Sequence, residues 1–272
     1  MFNKIRTRVR YELGNFRSMG LYEAGRLGID RAVQRLCLSR LRTAMRPSLH
    51  QLHQMSQSTH VSSFGLIEQA FPSAATSMLK EIESEYSELE TELARRYENM
   101  ERQLNYPLWY SVERETSFLI YAVCRLISPV NVLETGVADG RSSFFWLRAM
   151  MKNGKGKLYS VDVSEDVGQL LQEEEKNYWS LHILKAPQRA SFNRMLDSIS
   201  PLDIFFHDSD HTYGWQIFEY RAALKKISPE GIFLSDDVDH NLAFVDLCKA
   251  NDRKPFLLMD TRKVTGMLLP GK

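Results

Sequence analysis

Two periodicities divide the chain. From about residue 107 onward, short apolar runs alternate with stretches whose apolar residues return every three or four positions. That is the signature of strands separated by amphipathic helices. The runs "NVLETG", "KLYSVDV", "SLHILK", "IFFHD" and "IFLSDD" predict five strands, with helices between them at "SSFFWLRAMMKN", "EDVGQLLQEEEKN", residues 189–199 and "QIFEYRAALKKI". A helix over residues 112–127, stopped by Pro129, precedes the first strand. Another near 242–250 precedes the closing runs "PFLLMD" and "VTGMLL". Strands joined through helices pair in parallel, whereas the last two runs, separated by a short turn, read as a hairpin. The pattern predicts an open, doubly wound, mostly parallel α/β sheet, in which ligands bind beyond the carboxyl ends of the strands.

Upstream the pattern changes. Leu79, Ile82, Tyr86, Leu89, Leu93, Tyr97, Met100 and Leu104 advance by threes and fours among Glu and Arg. This predicts one long helix with a narrow apolar seam, suited to a helix pair or a dimer contact. Residues 47–76, rich in Ser, Gln and His with two prolines, read as a linker or irregular segment. Before them, Ile29, Val33, Leu36, Leu41 and Met45 recur at near-helical spacing with arginines between. The expected division is a helical region over residues 1–106 and an α/β domain over residues 107–272.

Charge matters mainly in its distribution. The 272 residues carry a formal net charge of +1, which gives no reason to expect a nucleic-acid partner. Residues 1–46, however, hold eleven Lys or Arg against three acids, an excess of +8. A basic amphipathic helix can pack on the protein with a solvated face, or lie on anionic lipid at a membrane periphery. Cys37, Cys124 and Cys248 are scattered and odd in number, which fits a reducing cytoplasm better than a disulfide framework. No uncharged apolar run reaches the roughly 18 residues that a membrane span needs.

Candidate chemistry gathers at strand ends. The fourth strand passes from apolar residues into Asp208, Asp210 and His211, and the fifth ends in Asp236 and Asp237. If those strands are neighbours, several carboxylates converge, which is costly unless a positive charge sits among them. Oxygen ligands in that number suit a hard cation such as Mg²⁺, Ca²⁺ or Mn²⁺. Helix capping can explain one acid per strand end, at Asp208 or Asp210 and at Asp239, but not two adjacent acids after the fifth strand. The first strand leads into "ETGVADGRSS", where Gly136 and Gly140 permit a tight turn and Ser142 offers donors at a helix start. The next strand ends at Asp162, readable either as a ribose acceptor or as a helix cap. His207, inside its strand, reads as a satisfied core histidine.

The four stretches "VLETGVADGRSS", "YSVDVSED", "IFFHDSDHTY" and "GIFLSDDV", in this order, resemble the class I S-adenosylmethionine-dependent methyltransferases. More narrowly, they are similar to the metal-dependent O-methyltransferases of the catechol, caffeoyl-coenzyme A and macrolide-sugar type. The resemblance covers residues 107–272 and implies a Rossmann-like, seven-stranded sheet. It places Glu134 and Gly136 beside the methionine end of the cofactor, with Gly140 in the same turn and Ser142 near the carboxylate. It also places Asp162 on the ribose and Gln188 at the adenine edge.

The resemblance further implies that Asp208, Asp236 and Asp237 hold a divalent cation, Mg²⁺ by expectation, although the family often has Asp-Asn where this chain has Asp-Asp. His211 stands where the catechol enzymes carry a catalytic lysine and the sugar-modifying members a histidine. It is the expected base, and the acceptor is expected to be a sugar, a glycosylated natural product or a glycolipid hydroxyl. Tyr213 and His240 are candidate acceptor contacts, and a homo-oligomer is compatible with the long helix. Two alternatives are a metal-bearing relative with hydroxylase-associated chemistry and a non-catalytic cofactor-binding subunit.

Overall fold

The computed structural model describes residues 45–100, 104–199 and 201–271. In chain order the elements are α1 (Leu49–Met55), β1 (Ser58–His60), α2 (Ser63–Ala70), α3 (Thr76–Met100), α4 (Arg114–Ile127) and β2 (Asn131–Thr135). Then follow α5 (Arg141–Asn153), β3 (Lys157–Asp162), α6 (Glu173–Lys176), β4 (Trp179–Ile183), α7 (Gln188–Ser198) and β5 (Leu202–His207). The chain closes with α8 (Tyr213–Leu224), β6 (Ile227–Ser235), α9 (Ala243–Ala250), β7 (Phe256–Met259) and β8 (Val264–Leu268).

The strands form one sheet in the order β1-β7-β8-β6-β5-β2-β3-β4. The five expected strands β2 to β6 pair in parallel, and only β8 runs antiparallel to its two neighbours. Strands β2 and β5 are buried on both faces, as a parallel sheet covered by helices demands. Phe144, Trp146 and the α4 residues Leu119 to Cys124 fill one face; Phe192, Phe205, Tyr220 and Phe244 fill the other.

Three expectations are revised. Among the described residues the sheet has eight strands rather than seven, because β1 adds in parallel to β7. That strand lies within residues 47–76, where α1, β1 and α2 replace the expected linker. Elements of three to eight residues are too short to show a period, so their stability comes from packing. Leu52, Leu66 and Ile67 supply it, all nearly inaccessible. In the stretch 165–177 only α6 is helical. The backbone of the preceding loop bonds elsewhere: Gly168 N donates to Ala138 O at 2.8 Å and Leu170 N to Asp139 O at 3.0 Å. The basic helix expected at residues 29–45 lies, apart from Met45, outside the described residues.

Helix α3 follows its seam, burying Leu79, Ile82, Tyr86, Leu89 and Leu93. These residues share one core with α4 and α5, so the seam is satisfied within the chain. One turn beyond Leu93 the buried residue is Arg96.

Candidate active site

Register fixes the site. Thr135 is opposite His207, and His207 is opposite Ser235, so the glycine turn, Asp208 and Asp236 emerge side by side from β2, β5 and β6. The turn must begin with glycine. Gly136 has φ +84°, and a Cβ there would lie 2.0 Å from the Asp208 carbonyl oxygen. Asp162 holds the other side of the turn: its carboxylate accepts from Val137 N at 3.0 Å, Val163 N at 2.7 Å and Ser164 N at 3.0 Å.

Between these segments lies a cavity of about 260 Å³, whose lining includes Gly136, Ser142, Asp162, Leu184, Asp208 and Trp215. Tyr106 and Tyr110, from the segment before α4, form another wall. Glu134 lies beneath the turn, fully buried, accepting from Ser143 Oγ at 2.6 Å and Ser160 Oγ at 2.8 Å. Its Oε1 has no hydrogen-bond partner. Burial raises its pKa to about 7, against the serine hydroxyls that lower it. Gln188 opens α7 and is not among the cavity-lining residues; Leu184, four positions earlier, is.

The acids converge as their strand positions require. His211 Nε2 stands 3.6 Å from Asp208 Oδ1 and 3.3 Å from Asp237 Oδ2. One ligand atom from each of these three residues falls within 4.8 Å of the others. His240 stacks on His211, ring centroids 5.5 Å apart, with its Nδ1 3.8 Å from Asp237 Oδ1. Asp236 takes a different place. It is fully buried, accepting from Lys263 Nζ at 2.9 Å and Thr265 Oγ1 at 2.9 Å. Lys263 Nζ also approaches Asp237 Oδ2 at 3.4 Å.

These contacts set the protonation tendencies. Burial, then the charge of Asp236, raises Asp208 to about 6. Burial works against ionised Asp237, but His240, His211 and Lys263 overcome it and hold the carboxyl below its usual range. Burial also opposes the charged form of Lys263, yet Asp208, Asp236 and Asp237 keep it protonated.

Some candidates serve the scaffold. Asp210 accepts from Thr212 N at 2.8 Å, at the start of α8. The residue bonding into the start of α9 is Asn241, which accepts from Ala243 N at 2.7 Å, rather than Asp239. Tyr213 donates to Asp246 Oδ2 at 2.8 Å, binding α8 to α9. His207 meets Glu219 through Nδ1 at 2.6 Å, while its Nε2 has no partner. Glu219 also accepts from Thr135 Oγ1, Ser209 Oγ and Trp215 Nε1, and lines the cavity.

Sequence reasoning missed Lys263, Glu219 and the wall of Tyr106 and Tyr110. Lys263 follows Asp236 by 27 residues in an unremarkable turn, so no local signal marks it.

A sheet with one antiparallel strand near its end, a glycine turn after β2 and an acid-ended β3 are the features of the class I methyltransferase fold. Residues 133–238 match the family model described as a methyltransferase domain. Among solved structures, the chain is similar to the O-methyltransferase TomG of Streptomyces achromogenes, in complex with S-adenosylmethionine. Identity is 18%, covering 66% of this chain and 89% of that one, with a TM-score of 0.50. An O-methyltransferase from Bacillus cereus, in complex with S-adenosylhomocysteine, is 13% identical over 80% of this chain and 99% of that one, with a TM-score of 0.51. The methyltransferase PaMTH1 of Podospora anserina is 15% identical over 66% and 88%, with a TM-score of 0.51. No curated protein sequence matches. The chain thus has the class I methyltransferase fold, and residues 133–238 within it match a methyltransferase-domain model.

Proposed function

We propose that the chain moves a methyl group from S-adenosylmethionine to a hydroxyl of a small molecule, of the sugar, glycosylated natural product or glycolipid class, with a divalent cation at the acid centre. The observation that carries this reading is the position of Asp208. It lines the donor cavity and also faces His211, so donor and acid centre share a wall.

The residues fit the donor. The turn at Gly136 has no room for a Cβ, Ser142 opens the helix beyond it, and Asp162 borders the cavity. A carboxylate offers about four acceptor sites, so one remains for a ribose hydroxyl after three backbone amides. The donor set also fits a hard divalent cation, with carboxylate oxygens from Asp208 and Asp237 close together. The sulfonium of the donor supplies an electrophilic methyl, and a cation between the acids would supply charge that favours an ionised acceptor oxygen. The chain's own part is to orient the two reactants and to take up a proton. His211 Nε2 is placed for the second task, steered by the two carboxylates that flank it.

The test uses labelled S-adenosylmethionine and a panel of sugar, glycolipid, polyketide and catechol acceptors, with and without chelator. Label should enter an alkali-stable ether, stop on chelation, and return with Mg²⁺ or Mn²⁺. His211→Ala should slow the chemical step by roughly 10²–10⁴. Full turnover after exhaustive chelation would remove the metal from the reading. Binding of donor without transfer to any acceptor class would favour a non-catalytic subunit.

A further inference from the structure

The acid centre is formally three carboxylates, Asp208, Asp236 and Asp237, but they are not equivalent. Both oxygens of Asp236 are engaged at 2.9 Å, one by the Lys263 ammonium and one by the Thr265 hydroxyl. Neither partner can easily leave. Lys263 is largely buried, and the next residue, Val264, accepts from Val238 N at 2.9 Å, so β8 fixes the ammonium beside the end of β6. Asp237, the next residue after Asp236, has φ +50°, a left-handed turn that Asp tolerates better than most side chains. Its carboxylate faces His211 and His240.

We infer that the centre is divided: Lys263 neutralises Asp236 as a permanent ion pair, and a divalent cation is held by Asp208 and Asp237 without Asp236. This rests on the metal-dependent reading above. Charge counting agrees with it. Three carboxylates and one ammonium leave a formal −2 with neutral histidines, which one divalent ion cancels. Recruiting Asp236 as a ligand would take away the buried ammonium's nearest partner, at 2.9 Å, and leave it the more distant Asp237 oxygen at 3.4 Å, and weakening a buried pair in this way is unfavourable. Lys263 is therefore a positioning residue. It withdraws the extra acid that distinguishes this Asp-Asp pair from an Asp-Asn pair, and it opposes the cation through like charge.

The experiment titrates Mn²⁺ into the full chain, reading free Mn²⁺ by electron paramagnetic resonance, with thermal melting as the fold control. The double variant Asp236→Asn/Lys263→Met removes both charges together, so it avoids leaving either one unpaired. It should bind Mn²⁺ within about threefold of wild type, whereas Asp208→Asn and Asp237→Asn should weaken binding by roughly a hundredfold or more. Lys263→Met alone, if folded, should tighten binding by roughly tenfold, because a positive charge is removed from beside the ligands. A merely structural lysine predicts weaker binding instead. If the double variant loses Mn²⁺ as severely as Asp208→Asn, Asp236 is a ligand and the division is wrong, while the metal reading stands. If wild type itself binds no Mn²⁺, the metal reading fails and the division with it.

Discussion

Asp162 offers the most decisive single perturbation, because its carboxylate has two duties. Three backbone amides donate to it, and it lines the cavity beside the glycine turn. Hydrogen bonds to a charged acceptor contribute about 1.5–3 kcal/mol each at most, but the three are unequal. The amides of Val163 and Ser164 are local, and the Val163 side of the bracket is exposed, so water replaces the lost acceptor. The Val137 bond ties the end of β3 to the glycine turn and has no such substitute. Asp162→Ala should therefore cost about 2 kcal/mol of stability without ligand, or a melting decrease of roughly 4–8 °C. It should also weaken S-adenosylhomocysteine binding by about 1.5–3 kcal/mol, a factor of roughly 10 to 150. Asp162→Asn should behave similarly in stability, since its amide must face a donor on one side of the bracket. Calorimetry and ligand-free melting measure the two effects separately. Unchanged affinity would remove the ribose assignment, and an unchanged melting temperature would refute the bracketing role.

Three further outcomes follow from burial. Gly136→Ala should abolish donor binding or folding, losing more than about 4 kcal/mol, because a Cβ meets the Asp208 backbone at 2.0 Å; a stable, donor-binding variant in a calorimetric assay would contradict that. Arg96→Met removes bonds of 2.7 Å to Leu170 O and 2.8 Å to each Glu175 oxygen. It leaves the fully buried Glu175 carboxylate with only Gln172 N at 2.8 Å and the more distant Arg148 guanidinium at 3.5 Å, at a cost of about 2–4 kcal/mol, and a change under 1 kcal/mol in urea unfolding would count against the ion pair. Glu134 should make the protein less stable as pH rises from about 4.5 to about 7, because the folded state retains a proton that the unfolded state has released. The full effect is about 3 kcal/mol. Glu134→Gln should flatten that part of the profile, and an unaltered slope between pH 5 and 8 would refute it.

The fold was legible where periodicity was long and each acid ended a buried run. Helices α3 and α5 show one period over 25 and 13 residues, and the short strands around α5 and in the final hairpin were marked by apolar runs that end in turn residues. The adjacency of Asp208 and Asp236 followed once β5 and β6 were neighbours, and they pair directly. What escaped was non-local. The loop before α6 has a helical composition, but its Gly168 and Leu170 amides donate to the glycine turn, a demand that no window of sequence contains. Tyr213 lies two residues from His211 yet reaches Asp246 on α9. Lys263 bonds an acid on another strand, so its role depends on the hairpin returning beside β6.

Helix α3 shows how the N-terminal region enters the chemistry without touching it. Three of its side chains reach the glycine turn or its supports. Glu90 pairs with Arg141 at 2.5 Å, Tyr97 donates to Asp139 Oδ2 at 2.6 Å, and Arg96 grips Leu170 O and Glu175. Asp139 is itself almost fully buried, and its Oδ2 also accepts from Ser111 Oγ at 2.8 Å, next to Tyr110 on the cavity wall. One carboxylate thus ties together the glycine turn, the long helix and the segment that closes the cavity. A turn with positive φ at Gly136, Ala138 and Gly140 is not a conformation the chain would hold unaided. The polar contacts from α3 supply the constraint, and the apolar seam of α3, packed on α4 and α5, fixes the helix that carries them. The helix that the sequence sets apart from the α/β domain is therefore part of what gives the glycine turn and its cavity their shape.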